Sequence, residues 1–348
     1  MPANQTAKKK RYDMLTDHPG KALLFFALPM IFGNLFQQLY NITDSVIVGR
    51  FVGENALAAV GASYAITNVF IAIAIGGGIG SSVIISQFLG AGKIGKMKTA
   101  VFTTMINFLV ISVILGTVGA VFNHQILSWV NTPEDIFSDA ALYLAIYFLG
   151  LPFLFMYNVQ ASIFNSLGDS KRPLYLLIFS SLLNIALDMV FVICFHQGVR
   201  GVAVATLIAQ GISAVLSLGV LLKNLKGLEG KQKTLFDKME LAEMTRIAIP
   251  SILQQSTVSI GMMLVQSVVN GFGSEALAGF SAAMRIESIC VVPMSAIGNA
   301  VSSFTNSEGQ PSGPVKSRNA SPSFNSANFL VDAPTGWNTI VIVPASLS

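Results

Sequence analysis

The stretch Ala22–Val48, ALLFFALPMIFGNLFQQLYNITDSVIV, decides the fold: 27 residues with one ionisable side chain, Asp44. About 20 consecutive, mainly apolar residues cross a hydrocarbon core of about 30 Å as a helix. Seven more such runs follow. Helical segments are expected at about 22–48, 56–89, 98–122, 138–164, 174–195, 200–222, 247–270 and 276–305. Membrane strands alternate over about ten residues, whereas these runs are continuous. The fold class is therefore all-α, a polytopic membrane helix bundle. Composition agrees, because 53% of the 348 residues are hydrophobic and 11% charged, against about 25% charged in soluble domains. The polar, basic start precedes a run long enough to span rather than be cleaved.

Charge placement sets the orientation. Lys8, Lys9, Lys10, Arg11 and Lys21 precede the first segment, and Lys93, Lys96, Lys98, Lys171 and Arg172 fall on the same side. Lys223, Lys226, Lys231, Lys233, Lys238 and Arg246 join them, against Arg50 and Arg200 opposite. Cytoplasmic loops carry the Lys/Arg excess, so a cytoplasmic N-terminus is expected. The net charge of +4 then reports topology, and no nucleic-acid partner is expected.

A repeat lies on the far side of the hydrophilic stretch 223–246. Ala27–Pro29 (ALP) recurs as Ala248–Pro250 (AIP), and Gly53–Ala62 (GENALAAVGA) as Gly273–Ala282 (GSEALAGFSA). An even number of helices between the copies predicts parallel repeats about an axis along the membrane normal. The expected organisation is a cytoplasmic arm (1–21), a six-helix lobe (22–222), a cytoplasmic linker (223–246) and a partial second lobe of two helices (247–305). The tail 306–348, rich in Ser, Asn, Pro and Gly, reads as disordered. A truncation or frameshift replacing four further helices is expected there.

Ionisable and amide groups at membrane depth need a reason. The first segment has a polar stripe of Asn34, Gln37, Gln38, Asn41, Asp44 and Ser45, at helical spacings of three and four. Such a face looks at protein or a water-filled cavity; interhelical hydrogen bonding is the structural alternative. The fifth segment places Asn184 and Asp188 one turn apart, and the sixth Thr206 and Gln210. Carboxylate, amide and hydroxyl oxygens are the ligands of a hard cation such as Na+; the same carboxylates can carry H+. Spacing leaves open whether the three helices meet. Cys194 and Cys290 are expected as buried free thiols, His18, His124 and His196 as solvated, and Arg285 and Glu287 as structural. Gly76, Gly77, Gly78 and Gly80 suit close helix packing or a hinge. No Ser/His/Asp order, zinc spacing or nucleotide motif is present, which disfavours an enzyme.

Several of these pieces resemble one family. The stretch Ala27–Gly61 with SQFLGAGK (86–93), NSLGDSKRPL (165–174), SLLNIALDMVF (181–191), GVRGVAVATLIAQ (198–210) and EALAGFSAAMRIES (275–288) is similar to the multidrug and toxic compound extrusion (MATE) transporters. Within them it resembles the bacterial branch with an aspartate in the first helix, over roughly residues 15–305. The resemblance implies twelve helices in two lobes, and a monomer in the bacterial cytoplasmic membrane. It implies export of organic, often cationic compounds in exchange for Na+ or H+, with no other cofactor. Carried over by motif, the cation site is Asp44, Asn184, Asp188 and Thr206, with Asn158 a weaker match; any metal on Asp44 and Asp188 is Na+. Asn34, Gln37, Gln38, Asn41, Gln254 and Gln255 are candidates for the substrate cavity. Gln254 and Gln255 stand where some relatives carry an acid. A lipid-linked oligosaccharide flippase would need Arg and Lys in the cavity, of which these helices offer almost none. A non-functional membrane product is the third reading.

Overall fold

The computed structural model describes residues 19–129, 132–230, 234–270 and 297–298. Every element among them is helical: α1 (Pro19–Ile47), α2 (Glu54–Gly90), α3 (Ile94–Val121), α4 (Asn123–Trp129), α5 (Glu134–Ser166), α6 (Lys171–Met189), α7 (Gly198–Lys226) and α8 (Lys238–Asn270). Short π-helical turns, Val48–Val52 and Val190–Cys194, continue α1 and α6. Five of these helices, α2, α3, α5, α6 with its π turn, and α7, are long and apolar enough to cross a membrane. The first seven expected segments correspond to long helices. The eighth, the tail, Cys290, Arg285 and Glu287 lie outside the described residues, apart from Ile297 and Gly298 in that segment.

α5 is the hub, packed against α2, α3 and α7, while α1 lies on α6 and α6 on α7. The main core gathers Phe108, Phe155, Phe164, Met97 and Leu221 from α3, α5 and α7. The outer faces are apolar as well. Ile106, Leu109, Val113, Val118 and Val121 of α3 are exposed, spaced as one helical stripe. An uncovered apolar stripe of this length is costly in water and costs nothing against lipid.

The glycine run is a junction of close contacts. A Cβ on Gly76 would come within 2.7 Å of the Ile252 backbone, and one on Gly80 within 2.7 Å of Ala248 and Met244 backbone atoms. Gly77 likewise admits Phe108 of α3 and Gly78 admits Ser162 of α5. Gly76 and Gly80 thus form a small-xxx-small contact that brings the α8 backbone onto α2. α2 runs through the glycines as one continuous helix.

The connection between α7 and α8 is shorter than the stretch 223–246, since helix continues to Lys226 and resumes at Lys238. It is strapped to the start of α3. Lys98 Nζ donates to the carbonyls of Leu228 (2.8 Å) and Gly230 (3.2 Å), and Thr99 Oγ1 to that of Thr234 (3.0 Å). The Asp237 amide donates to Thr103 Oγ1 (3.0 Å), and the Asp237 carboxylate accepts from the amides of Met239 (2.8 Å) and Glu240 (3.3 Å). Asp237 therefore caps α8 while fixing it to α3. Glu240 beside it is buried, with Oε2 unpartnered. Burial first, then the Asp237 and Glu243 charges, push its carboxyl up to about 7, against a smaller opposing pull from Lys96.

Two expectations change. Cys194 is exposed because the π turn carries it to the end of α6, beyond the packed interior. His124 lies in α4, beside Phe137 with ring centroids 5.7 Å apart, so that stretch is helical and not a loop.

Gly80→Val should therefore push α8 off α2. An overpacked core costs about 1–3 kcal/mol, so the thermal midpoint in detergent should fall clearly. Gly219→Ala, inside α7 where nothing lies within 4 Å, should not lower it and should raise it slightly. Glu240 gives a pH dependence of defined sign. Its folded carboxyl holds a proton more tightly than an unfolded one, so its contribution is complete below about pH 4.5. That contribution declines as pH rises and is lost above about 7. Glu240→Gln should flatten the fall in midpoint across that window and raise the midpoint at pH 8.

Candidate functional site

α1 and α6 each bring one carboxyl group to their shared interface. Tyr40 and Asp44 are one turn apart on α1, and Asn184 and Asp188 one turn apart on α6. That spacing stacks both residues of a pair on one face. The carboxyl groups of Asp44 and Asp188 come within interaction range of each other. Asp188 has no exposed surface and Asn184 only 2%. With its nitrogen toward Tyr40 and Asp188, the Asn184 amide donates to Tyr40 Oη and to Asp188 Oδ2, both at 3.0 Å. Its oxygen then accepts from Thr206 Oγ1 of α7 at 3.3 Å. The Tyr40 hydroxyl also contacts Thr206.

Three helices thus meet on one polar cluster. To bond, the two carboxyl groups need a proton between them, or a cation in its place. Asp44 Oδ1 and Asp188 Oδ1 are buried with no partner. Unpaired buried acceptors are costly, and here both belong to the pair. With the amide, hydroxyl and phenol oxygens nearby, the cluster has the donor chemistry of a hard monovalent cation or a proton.

The other sequence candidates fall elsewhere. Asn158 Nδ2 donates to the Leu154 carbonyl of its own helix at 2.8 Å, and no described contact joins it to the cluster. Gln210 shares a small cavity with Thr206, Tyr143 and Tyr147 between α5 and α7, outside the hydrogen-bonded group. The α1 stripe divides. Asp44 turns toward α6, while Gln37, Asn41 and Ser45 stay exposed and Asn34 and Gln38 half-buried. Asn41 Nδ2 donates to Gln38 Oε1 at 3.4 Å. On α8, Gln254 is exposed and Gln255 half-buried.

Two tyrosines of the site escape a reading by polarity. Tyr40 sits four residues before Asp44, a spacing that could have flagged it. Tyr143 of α5 lies close enough to Asp44 and Asp188 for their charges to act on it; nothing in local spacing signals that.

Comparison with known proteins agrees with this arrangement. The family profile described as MatE matches residues 29–190 and 250–325. The chain is 32% identical over 295 residues to the probable multidrug resistance protein YpnP of Bacillus subtilis (strain 168), covering 85% of this chain and 66% of that protein. It is 32% identical to the probable multidrug resistance protein YoeA of the same strain, over 82% of this chain and 63% of that one. The chain thus spans just under two thirds of the length of these two relatives. A solved multidrug resistance MATE family transporter of the MOP superfamily, in an outward-facing conformation, superposes with a TM-score of 0.79 at 26% identity. That match covers 87% of this chain and 68% of the other.

Thr206→Val should remove the hydroxyl donor to the Asn184 oxygen and keep the Thr206 backbone amide, which donates to it at 3.1 Å. The loss should be about 0.5–1.5 kcal/mol, read as a lower thermal midpoint. Thr206→Ser should restore most of it.

Proposed function

The chain belongs to the MatE family of multi-pass membrane transporters, and we propose on that premise that it carries the ion-coupling lobe of a multidrug efflux antiporter. The organic, often cationic compound leaves in exchange for Na+ or H+. The observation that carries this reading is the facing Asp44 and Asp188 pair, each with one buried, unpartnered oxygen. MATE transporters are not enzymes, and the cluster offers a binding chemistry.

Asp44 and Asp188 hold the cation. Asn184 orients the pair, because its nitrogen is committed to Asp188 and Tyr40 while Thr206 fixes its oxygen. With a proton or Na+ between them, the carboxyl groups draw α1 onto α6. Emptied and ionised, they repel at close range, so the seat of α1 depends on occupancy.

The organic compound passes along the exposed amides, Gln37 and Asn41 of α1 and Gln254 of α8. Amides do not face lipid unpaired, so this surface lines a wetted cavity. Asn34, Gln38 and Gln255 border it. The basic ends of α3, α6 and α7 and the N-terminus face the bacterial cytoplasm, and the chain works as a monomer in the cytoplasmic membrane. Asn158 contributes to the lobe without touching the ion.

Two matched assays test the reading. The chain in vesicles should lose cation-driven efflux of a fluorescent organic cation at least tenfold on Asp44→Asn and on Asp188→Asn. Retention of full cation-dependent efflux in both variants would sink the assignment. Gln37→Ala should shift the half-saturating concentration of the organic compound and leave that of the driving cation unchanged.

A further inference from the structure

A second polar cavity lies at the end of the lobe toward which Asp44 and Asp188 sit. Its volume is about 540 Å³. Asn55 at the start of α2, Asp139 of α5 and His196, Gln197 and Arg200 at the entry to α7 form its polar wall. Val52, Ala56 and Val199 make an apolar floor. These three belong to a small hydrophobic cluster that also buries Val48, Val192 and Val202.

Register gives that cluster its meaning. Val48 follows Asp44 by four residues, and Val192 follows Asp188 by four. Four residues are about one helical turn, or about 6 Å of rise. One layer of valines therefore separates the floor of the cavity from the buried carboxyl pair.

Three features make that layer a thin barrier. Both carboxylate-bearing helices leave α-helical register at it, in the π turns Val48–Val52 and Val190–Cys194. The two π turns touch each other; such turns recur at functional sites. Tyr143 packs against the valines and also lies within reach of the charges on Asp44 and Asp188. It stands one turn beyond Asp139 on α5, beside the apolar layer. Finally, the turn over the cavity is held sharply back. His196 has φ 51° and Gly198 φ 57°, left-handed conformations that let α6 reverse into α7 within a few residues.

We propose that this cavity is the external mouth of the cation site, an entry for Na+ or hydronium separate from the amide face of α1 and α8. Asp139 concentrates cations in it. Arg200, on the same wall, opposes them and holds the rate down. The proposal rests on the reading of Asp44 and Asp188 as the coupling-ion pair. It gives the two cargoes separate passages, so an incoming cation need not displace the organic compound from a shared path.

The test follows cation association with the full chain in nanodiscs. Binding of 22Na+ is measured in parallel with proton uptake after an acid pulse, read by a pH dye. The ion whose binding Asp44→Asn removes is the coupling ion. Asp139→Asn should slow its association about three- to tenfold and Arg200→Gln should quicken it by a similar factor, as expected for local electrostatic steering. Both effects should shrink as ionic strength rises. In intact cells, and in a background with Cys194→Ser and Cys290→Ser, Gln197→Cys should react with a membrane-impermeant thiol reagent added outside, and in inside-out vesicles it should not. Attaching a bulky group there should slow the same association. Unchanged rates in both charge variants and after blocking, with Asp44→Asn still defective, overturn the mouth and spare the ion site. Shifts of the same sign in the two charge variants overturn the roles given to Asp139 and Arg200. Binding of neither ion by the unaltered chain, or normal binding of both by Asp44→Asn, overturns the ion site and the mouth with it.

Discussion

Two carboxyl groups face each other inside an apolar slab, and the placement of α1, α6 and α7 follows from that contact. Neither Asp44 nor Asp188 could be carried at membrane depth alone without a cost of several kcal/mol. Each lies against the other and Asn184 donates to Asp188, which leaves one buried, unpartnered oxygen on each carboxyl. The helices need not be held together by apolar packing, because lipid offers Leu and Val an equally good environment. α1 lies on α6 for the reason that its polar face has nowhere else to go.

The opposite side of the lobe is held by a different device. There α2 meets α8 through Gly76 and Gly80, whose missing side chains admit the Ile252 and Ala248 backbones. Dispersion contacts at short range do the work, with the Asp237 cap and the Lys98 strap fixing the start of α8. This contact has no charge to gain or lose. In the proposed function an ion-sensitive polar interface stands on one flank of the lobe and an ion-insensitive glycine interface on the other.

Much of this was legible in the sequence, and the limits are instructive. Long apolar runs gave the helices because backbone polar groups in lipid leave the chain no alternative. Asp44, Asn184, Asp188 and Thr206 stood out as polar residues at helical spacing, yet periodicity speaks of one helix at a time. That α1, α6 and α7 converge is a property of packing, which spacing does not encode. Tyr40 and Tyr143 went unnoticed since an aromatic ring in an apolar run reads as ordinary surface, its hydroxyl silent until a partner is seen. The stripe from Asn34 to Ser45 shares one side of α1 by spacing, and only packing divides it, with Asp44 toward α6 and Gln37, Asn41 and Ser45 exposed. The glycine run could be read as packing or as a hinge; only the positions of Ile252, Phe108 and Ser162 distinguish them. Cys194 was misjudged because a π turn shifts register locally, an event no apolar pattern announces.

In the proposed function the polar stripe of α1 supplies the coupling. A bound cation can bias a conformation only by as much as its affinity differs between the alternatives. In the proposed mechanism Tyr40 and Asp44 bind a cation well only when apposed to Asp188, whereas Gln37 and Asn41, exposed beside them on the same helix, border the wetted cavity. Any movement that separates Asp44 from Asp188 therefore also moves those amides, since one rigid helix carries both. The dependence is reciprocal: an organic compound that prefers one position of the amides changes cation affinity by the same factor. Exchange of two chemically unrelated cargoes then requires no direct contact between them, only one helix that carries both a partnered carboxyl and exposed amides.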